Sequence, residues 1–229
     1  MKKLFLALSI FFLLLYFSAS FLYHEKYVLY IKPLILPFFT TYIFLANHFK
    51  INVRYLLFII FFYLGDCCIL YIYKFPVVYE LGLICYFFSY LSLLFLVLPF
   101  INSFSVLNEI RIYSIFTFFL IVSILVFLLD VIFDTKTEIF LTIIIVFNAI
   151  AAILLTFFAF IYLKQLFFKK SILFFFGSFS LFFSDVMSAL QVYFVEDFLM
   201  NFIERILHFL GFYLIYLFYV EKHVAVEND

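Results

Sequence analysis

The chain has 229 residues, of which 69% are hydrophobic, 26% aromatic and 12% charged, with 14 basic and 14 acidic side chains and no formal net charge. A soluble domain of this length could not hide so much apolar surface, and the sequence carries no basic tract or binding motif for a nucleic acid. The scarcity of glycine and proline, 4 of each, excludes a low-complexity or disordered chain.

A helix needs about 20 predominantly apolar residues to cross a bilayer. Eight windows meet that need: 3–22, 27–47, 54–73, 78–99, 112–133, 139–163, 172–194 and 198–220. Their connections are short, and no alternating strand pattern of the membrane-barrel kind is present. The expected fold is all-α: a polytopic bundle of eight transmembrane helices in a single domain, 1–229.

The first window, MKKLFLALSIFFLLLYFSAS, has the lysines and the small-residue tail of a signal peptide. Its long apolar run and the spans that follow favour an uncleaved first helix. The second window carries Lys32 next to Pro33, with Pro37 one turn on. The third contains FFYLGDCCIL, which sets Asp66 in the middle of an apolar stretch, beside Cys67 and Cys68. The fourth holds Gly82, Cys85 and Tyr90, and the fifth carries Asp130 near its end. In the seventh, Gly177, Ser180, Ser184, Ser188 and Gln191 recur in steps of three and four, with Asp185 at their border. In the eighth, Asn201, Glu204, His208 and Gly211 do the same, beside Arg205. Such steps line one helix face, and polar stripes of this kind are expected to face a cavity or each other rather than lipid. The three cysteines have no zinc or redox spacing and read as small buried hydrophobes, without a disulfide framework.

Positive residues predict the orientation. With the N-terminus inside, Lys2, Lys3, Lys50, Arg54, Arg111, Lys164, Lys169, Lys170 and Lys222 collect on the cytoplasmic side, against Lys26, Lys74 and Lys136 outside. Both termini are therefore expected in the cytoplasm, in a multi-pass protein of a bacterial inner (plasma) membrane.

An ionisable group in hydrocarbon is a functional hypothesis by default. The rise of 1.5 Å per residue puts Asp66 and Asp185 roughly 3–4 Å, and Lys32 and Arg205 roughly 6–8 Å, to the outer side of their span centres. Two acids and two bases from four helices thus share one layer. A single Ser in such a helix is expected to serve packing, and a lone His208 reads first as a satisfied packing residue. For Asp66 and Asp185 a functional role is expected, the alternative being a structural ion pair with Lys32 or Arg205.

Several frames carry a family resemblance: IKPLILPFF at 31–39, YLGD at 63–66, ELGLICYFFSYL at 80–91 with an aromatic four residues after its Gly, and FFFGSFSLFFSD at 174–185. In order and spacing, over nearly the whole chain, they resemble the YhhN family, whose characterised members are lysoplasmalogenases. The resemblance implies eight helices and hydrolysis of the vinyl-ether bond of a lysoplasmalogen to a fatty aldehyde and a glycerophospho-headgroup. Lys32, Gly65, Asp66, Gly82, Gly177, Ser184 and Asp185 match the family pattern. Tyr90 stands where the family usually has His, and Tyr216 where it has Gln; both keep a hydroxyl.

Vinyl ethers hydrolyse by proton transfer to carbon and attack of water on the resulting oxocarbenium ion. One buried carboxyl that stays protonated and one that ionises suit this chemistry. Asp66 and Asp185 are the expected catalytic pair. Lys32 and Arg205 are expected to hold the headgroup phosphate, Arg by its bidentate fork, and Ser184, Tyr90, His208 and Glu204 to complete the substrate site. The expected partner is a lysophospholipid or ether lipid in the membrane, with no nucleic acid, cofactor or metal. Three other classes share some features. An intramembrane aspartyl protease would need Gly where Tyr63 stands. A transporter or proton relay would show more helix breaks and inverted repeats. A non-catalytic lipid-binding protein would keep the pocket without the turnover.

Overall fold

The computed structural model describes residues 2–22, 25–46, 51–69, 71, 75–101, 139–166, 169–193 and 198–226, together with 115, 119, 122, 123 and 126. Among the described residues, seven bounded α-helices run in chain order: α1 (Lys2–Leu22), α2 (Glu25–Ala46), α3 (Val53–Ile69), α4 (Pro76–Val97), α5 (Ile139–Leu166), α6 (Lys169–Tyr193) and α7 (Phe198–Val226). A short 3-10 turn, Leu98–Phe100, follows α4. The described residues contain no strand. Helices are the physical answer to this composition, because a helix satisfies its own backbone polar groups where no water can.

Local chemistry marks the ends. Asn52 caps α3: its side-chain oxygen accepts from the Arg54 N–H at 2.9 Å and its carbonyl from the Leu56 N–H at 2.9 Å. Pro76 opens α4, where its missing N–H costs nothing. The predicted third span, 54–73, ends as a helix earlier, at Ile69, and Tyr71 already lies in a turn whose N–H donates to the Cys68 carbonyl at 3.1 Å. Pro33 and Pro37 both sit inside α2 without dividing it.

Among the described residues, four helical stretches are long and apolar enough to cross a membrane: Val77–Phe100, Ile139–Lys164, Lys169–Gln191 and Phe198–Val220. Leu4–Ala19 and Tyr30–Leu45 are shorter apolar helices. The chain is therefore a helical membrane protein. Most of the predicted fifth span, 112–133, including Asp130, lies outside the described residues; Ile115, Phe119, Val122, Ser123 and Val126 within it are helical.

Helix α5 sorts its residues by face. On α5, Phe140, Ile143, Phe147 and Ile150 are exposed, and Ile144, Ala151, Leu155, Ala159 and Tyr162 are buried. Both sets follow helical steps, one for lipid and one for protein. Small alanines on the buried face let a neighbouring helix approach closely.

The chain forms two compact units, Met1–Ser92 and Leu93–Asp229, with the boundary inside α4. In the first, Phe12 of α1 stacks on Phe38 of α2 at 5.0 Å, and Phe62 of α3 meets Tyr86 of α4 edge-on at 5.6 Å. In the second, Tyr162, Phe174 and Phe218 join α5, α6 and α7, with ring centroids 4.8–6.1 Å apart. Such aromatic contacts replace the hydrophobic effect, which has no purchase between helices already in oil.

Candidate functional site

The polar core of the first unit is built on three helices. Asp66 on α3 is 1% exposed. Its Oδ1 lies 3.1 Å from the Lys32 ammonium of α2 and accepts a hydrogen bond from the Tyr86 hydroxyl of α4 at 2.7 Å. Lys32 is itself buried. A cation and a short O–H donor on one oxygen are the partners of a carboxylate rather than of a carboxylic acid. In a low-dielectric interior both interactions are far stronger than in water.

Glycine makes the arrangement possible. A Cβ on Gly65 would stand 2.8 Å from Cε1 of Tyr86. The bare backbone lets the Tyr86 ring lie flat against α3 and delivers its hydroxyl to the next residue along. Gly82, one turn before Tyr86, brings the two backbones together: a Cβ there would be 3.1 Å from Cβ of Cys68 and 3.5 Å from the Gly65 carbonyl oxygen. Ser89, further along α4, reaches across to the Phe58 carbonyl at 3.4 Å.

Tyr86 was not among the expected site residues. Its signal in the sequence is the aromatic four residues after Gly82, which periodicity marks as lying on the glycine's own face. Tyr90, one turn further, is buried at 2% exposure on the same helix.

The second unit has its own polar seam, between α6 and α7. Gly177 and Gly211 form its tight end. A Cβ on Gly177 would be 3.1 Å from the Ile215 backbone nitrogen, and one on Gly211 3.0 Å from the Gly177 carbonyl oxygen. Further along, the Ser184 hydroxyl donates to the Glu204 carbonyl at 3.3 Å and shares its proton with Glu204 Oε1 at 3.4 Å. Elsewhere hydroxyls turn back on their own helices: Ser9 to Phe5, Thr41 to Pro37, Ser92 to Phe88 and Thr156 to Ala152, all within 2.7–2.9 Å. Those four are packing residues of the ordinary kind, and Ser184 differs from them by bonding across helices.

The two predicted stripes thus face each other over part of their length. Gly177, Ser180 and Ser184 are buried on α6, as are His208 and Gly211 on α7. Ser188 departs from the expected inward stripe, because it is exposed. Arg205 is buried, whereas Asp185 and Glu204 are half-buried. Asp66 and Lys32 belong to the first unit, and Asp185, Ser184, Glu204, Arg205 and His208 to the second. Among the described residues, no group of three or more His, Cys, Asp or Glu side chains is placed to hold a metal ion.

No protein-family model matches the chain, and comparison with curated proteins and with solved structures returns no significant match.

Proposed function

We propose that this membrane protein is an ether-lipid hydrolase that cleaves the vinyl-ether bond of a lysoplasmalogen, as the resemblance to the YhhN family implies. The observation that supports the reading is the Asp66 carboxylate, buried in an apolar helix and held by Lys32 at 3.1 Å and Tyr86 at 2.7 Å. The reaction develops positive charge on the carbon beside the ether oxygen. A pre-oriented carboxylate in a water-poor site stabilises such charge and orients the attacking water without reorganising. Asp66 has the partners of that ionised role. The proton that goes to carbon comes from another group, and Asp185 is the candidate that the sequence offers. Lys32 has donors beyond the one facing Asp66 and can also meet a phosphate oxygen.

A second reading is a lipid-binding protein without turnover. It is favoured by the same cluster, because Lys32 and Tyr86 also compensate Asp66 as a purely structural pair would.

Purified protein incubated with lysoplasmalogen in detergent is expected to release fatty aldehyde. Asp66→Asn is expected to lower turnover by about 100-fold or more, as loss of a pre-oriented electrostatic partner does, and Asp185→Asn to do the same if it supplies the proton. Absence of aldehyde from a folded sample that still binds the lysolipid would replace the hydrolase with the binding reading.

A further inference from the structure

The cluster around Asp66 leaves the thiols beside it unused. The Cys68 side chain of α3 meets that of Cys85 on α4, thiol to thiol. The third cysteine, Cys67, turns instead to Tyr63 one helical turn back on its own helix. All three are free and half-buried.

Helix pairs usually keep their axes about 8–10 Å apart, whereas a disulfide needs Cα atoms about 4.4–6.8 Å apart. The glycine crossing brings these two helices closer than usual. A Cβ on Gly82 would stand only 3.1 Å from Cβ of Cys68, and Cys85 follows Gly82 by three residues, on the same face. The close approach that seats the Tyr86 ring also brings these two sulfurs together.

We propose that Cys68 and Cys85 are a redox-sensitive dithiol, closed to an intramolecular disulfide by a lipid hydroperoxide. The helices that carry them are apolar, so their half-buried thiols are reached from lipid rather than from water. A hydroperoxide on an acyl chain is a two-electron oxidant that resides in that phase. One thiol attacks the outer peroxide oxygen; the O–O bond breaks, and the departing alkoxide takes the thiol proton to become a lipid alcohol. The sulfenic acid so formed is attacked by the second thiol, the S–S bond forms and water leaves. Two thiols and one hydroperoxide thus give one disulfide, one alcohol and one water. The bridge ties α3 to α4 two residues after Asp66 and one before Tyr86. The inference is independent of the ether-lipid reading.

The test uses the full chain in bilayer nanodiscs with and without hydroperoxidised phosphatidylcholine, followed by denaturation and counting of free thiols with a maleimide polymer. The count is expected to fall from three to one, to return to three on reduction, and to map to a Cys68–Cys85 peptide pair. Cys67→Ser is expected to lose both of its remaining thiols to the bridge, whereas Cys68→Ser and Cys85→Ser are expected to form no intramolecular disulfide, losing at most the one thiol that stops at the sulfenic acid. Three thiols surviving the hydroperoxide would overturn the proposal, even if diamide closes the bridge. A bridge through Cys67, or one between two chains, would overturn it equally. The readout does not depend on activity, so loss of turnover in a variant leaves it interpretable.

Discussion

The α2–α3–α4 cluster and the α6–α7 seam use one device to different ends. The chain has 4 glycines, and they are divided between two helix crossings, Gly65 and Gly82 at one and Gly177 and Gly211 at the other. At the first, the space left by Gly65 is filled by the Tyr86 ring, and the hydroxyl at its end reaches a buried charge. At the second, the aliphatic side chains of Ile215 and Leu181 come nearest, 2.9 and 2.8 Å from the missing Cβ positions, with the Ile215 nitrogen and the Gly177 carbonyl oxygen close behind at 3.1 and 3.0 Å. The first crossing therefore ends in an ion pair at 3.1 Å and a bond at 2.7 Å, the second in a shared hydroxyl at 3.3 and 3.4 Å. A glycine that admits a tyrosine can place a polar group; glycines that admit only aliphatic side chains and backbone set a spacing. Only the first crossing assembles a cation, an anion and a donor from three different helices.

That difference is broken most directly at the ion pair. Lys32→Met strands a buried carboxylate and is expected to cost about 3–5 kcal/mol, read as a loss of thermal stability in detergent. Combining it with Asp66→Leu is expected to restore most of the loss, because the lone charge is then gone. A double variant as unstable as the two single losses added together would show that the two residues are not coupled.

Tyr86→Phe keeps the ring and removes the hydrogen bond to Asp66. A bond to a charged group is worth about 1.5–3 kcal/mol, so unfolding in mild denaturant is expected to shift by that amount. Gly65→Ala should reproduce the shift by another route, since its methyl needs the place of the Tyr86 ring. If Gly65→Ala is neutral while Tyr86→Phe is not, the ring can retreat and still hold its bond, and the glycine is not what positions it.

At the other crossing, Gly211→Ala meets the Leu181 side chain and the Gly177 carbonyl oxygen. Overpacking of this kind costs about 1–3 kcal/mol, and it is expected to spare the Lys32–Asp66 pair, so the benefit of the Lys32→Met/Asp66→Leu combination should persist in the Gly211→Ala background. The smallest effect belongs to Ser184→Ala. Its bonds are long and divided between two acceptors, so the loss is expected to stay below about 1 kcal/mol. A larger loss would raise the seam to the rank of the first cluster.

Much of the fold was legible in the sequence because composition leaves a membrane chain few choices. A stretch such as 139–163 has no soluble fate, and its exposed Phe140, Phe147 and Ile150 follow the helical period that predicts a lipid face. Asp66 was legible for the opposite reason: a carboxylate among phenylalanines is costly, so its presence calls for a partner. Which partner was not legible, since Lys32 and Arg205 fall at similar computed depths along their spans. Tyr86 was missed because the neighbouring helices carry so many aromatics that one more has no contrast.

The sequence by itself thus determined the solvent of this protein, its helices and the residues that could not be left alone in lipid. These follow from transfer free energies and from the 3.6-residue period, which are properties of each segment separately. Tertiary structure alone decided that Lys32 meets Asp66, that a tyrosine hydroxyl shares the same oxygen, and that Cys68 meets Cys85 while Cys67 does not. Periodicity says which face of its own helix a side chain occupies. It says nothing of the rotation and register of the helix opposite, and those are set by how closely two backbones approach at Gly65 and Gly82.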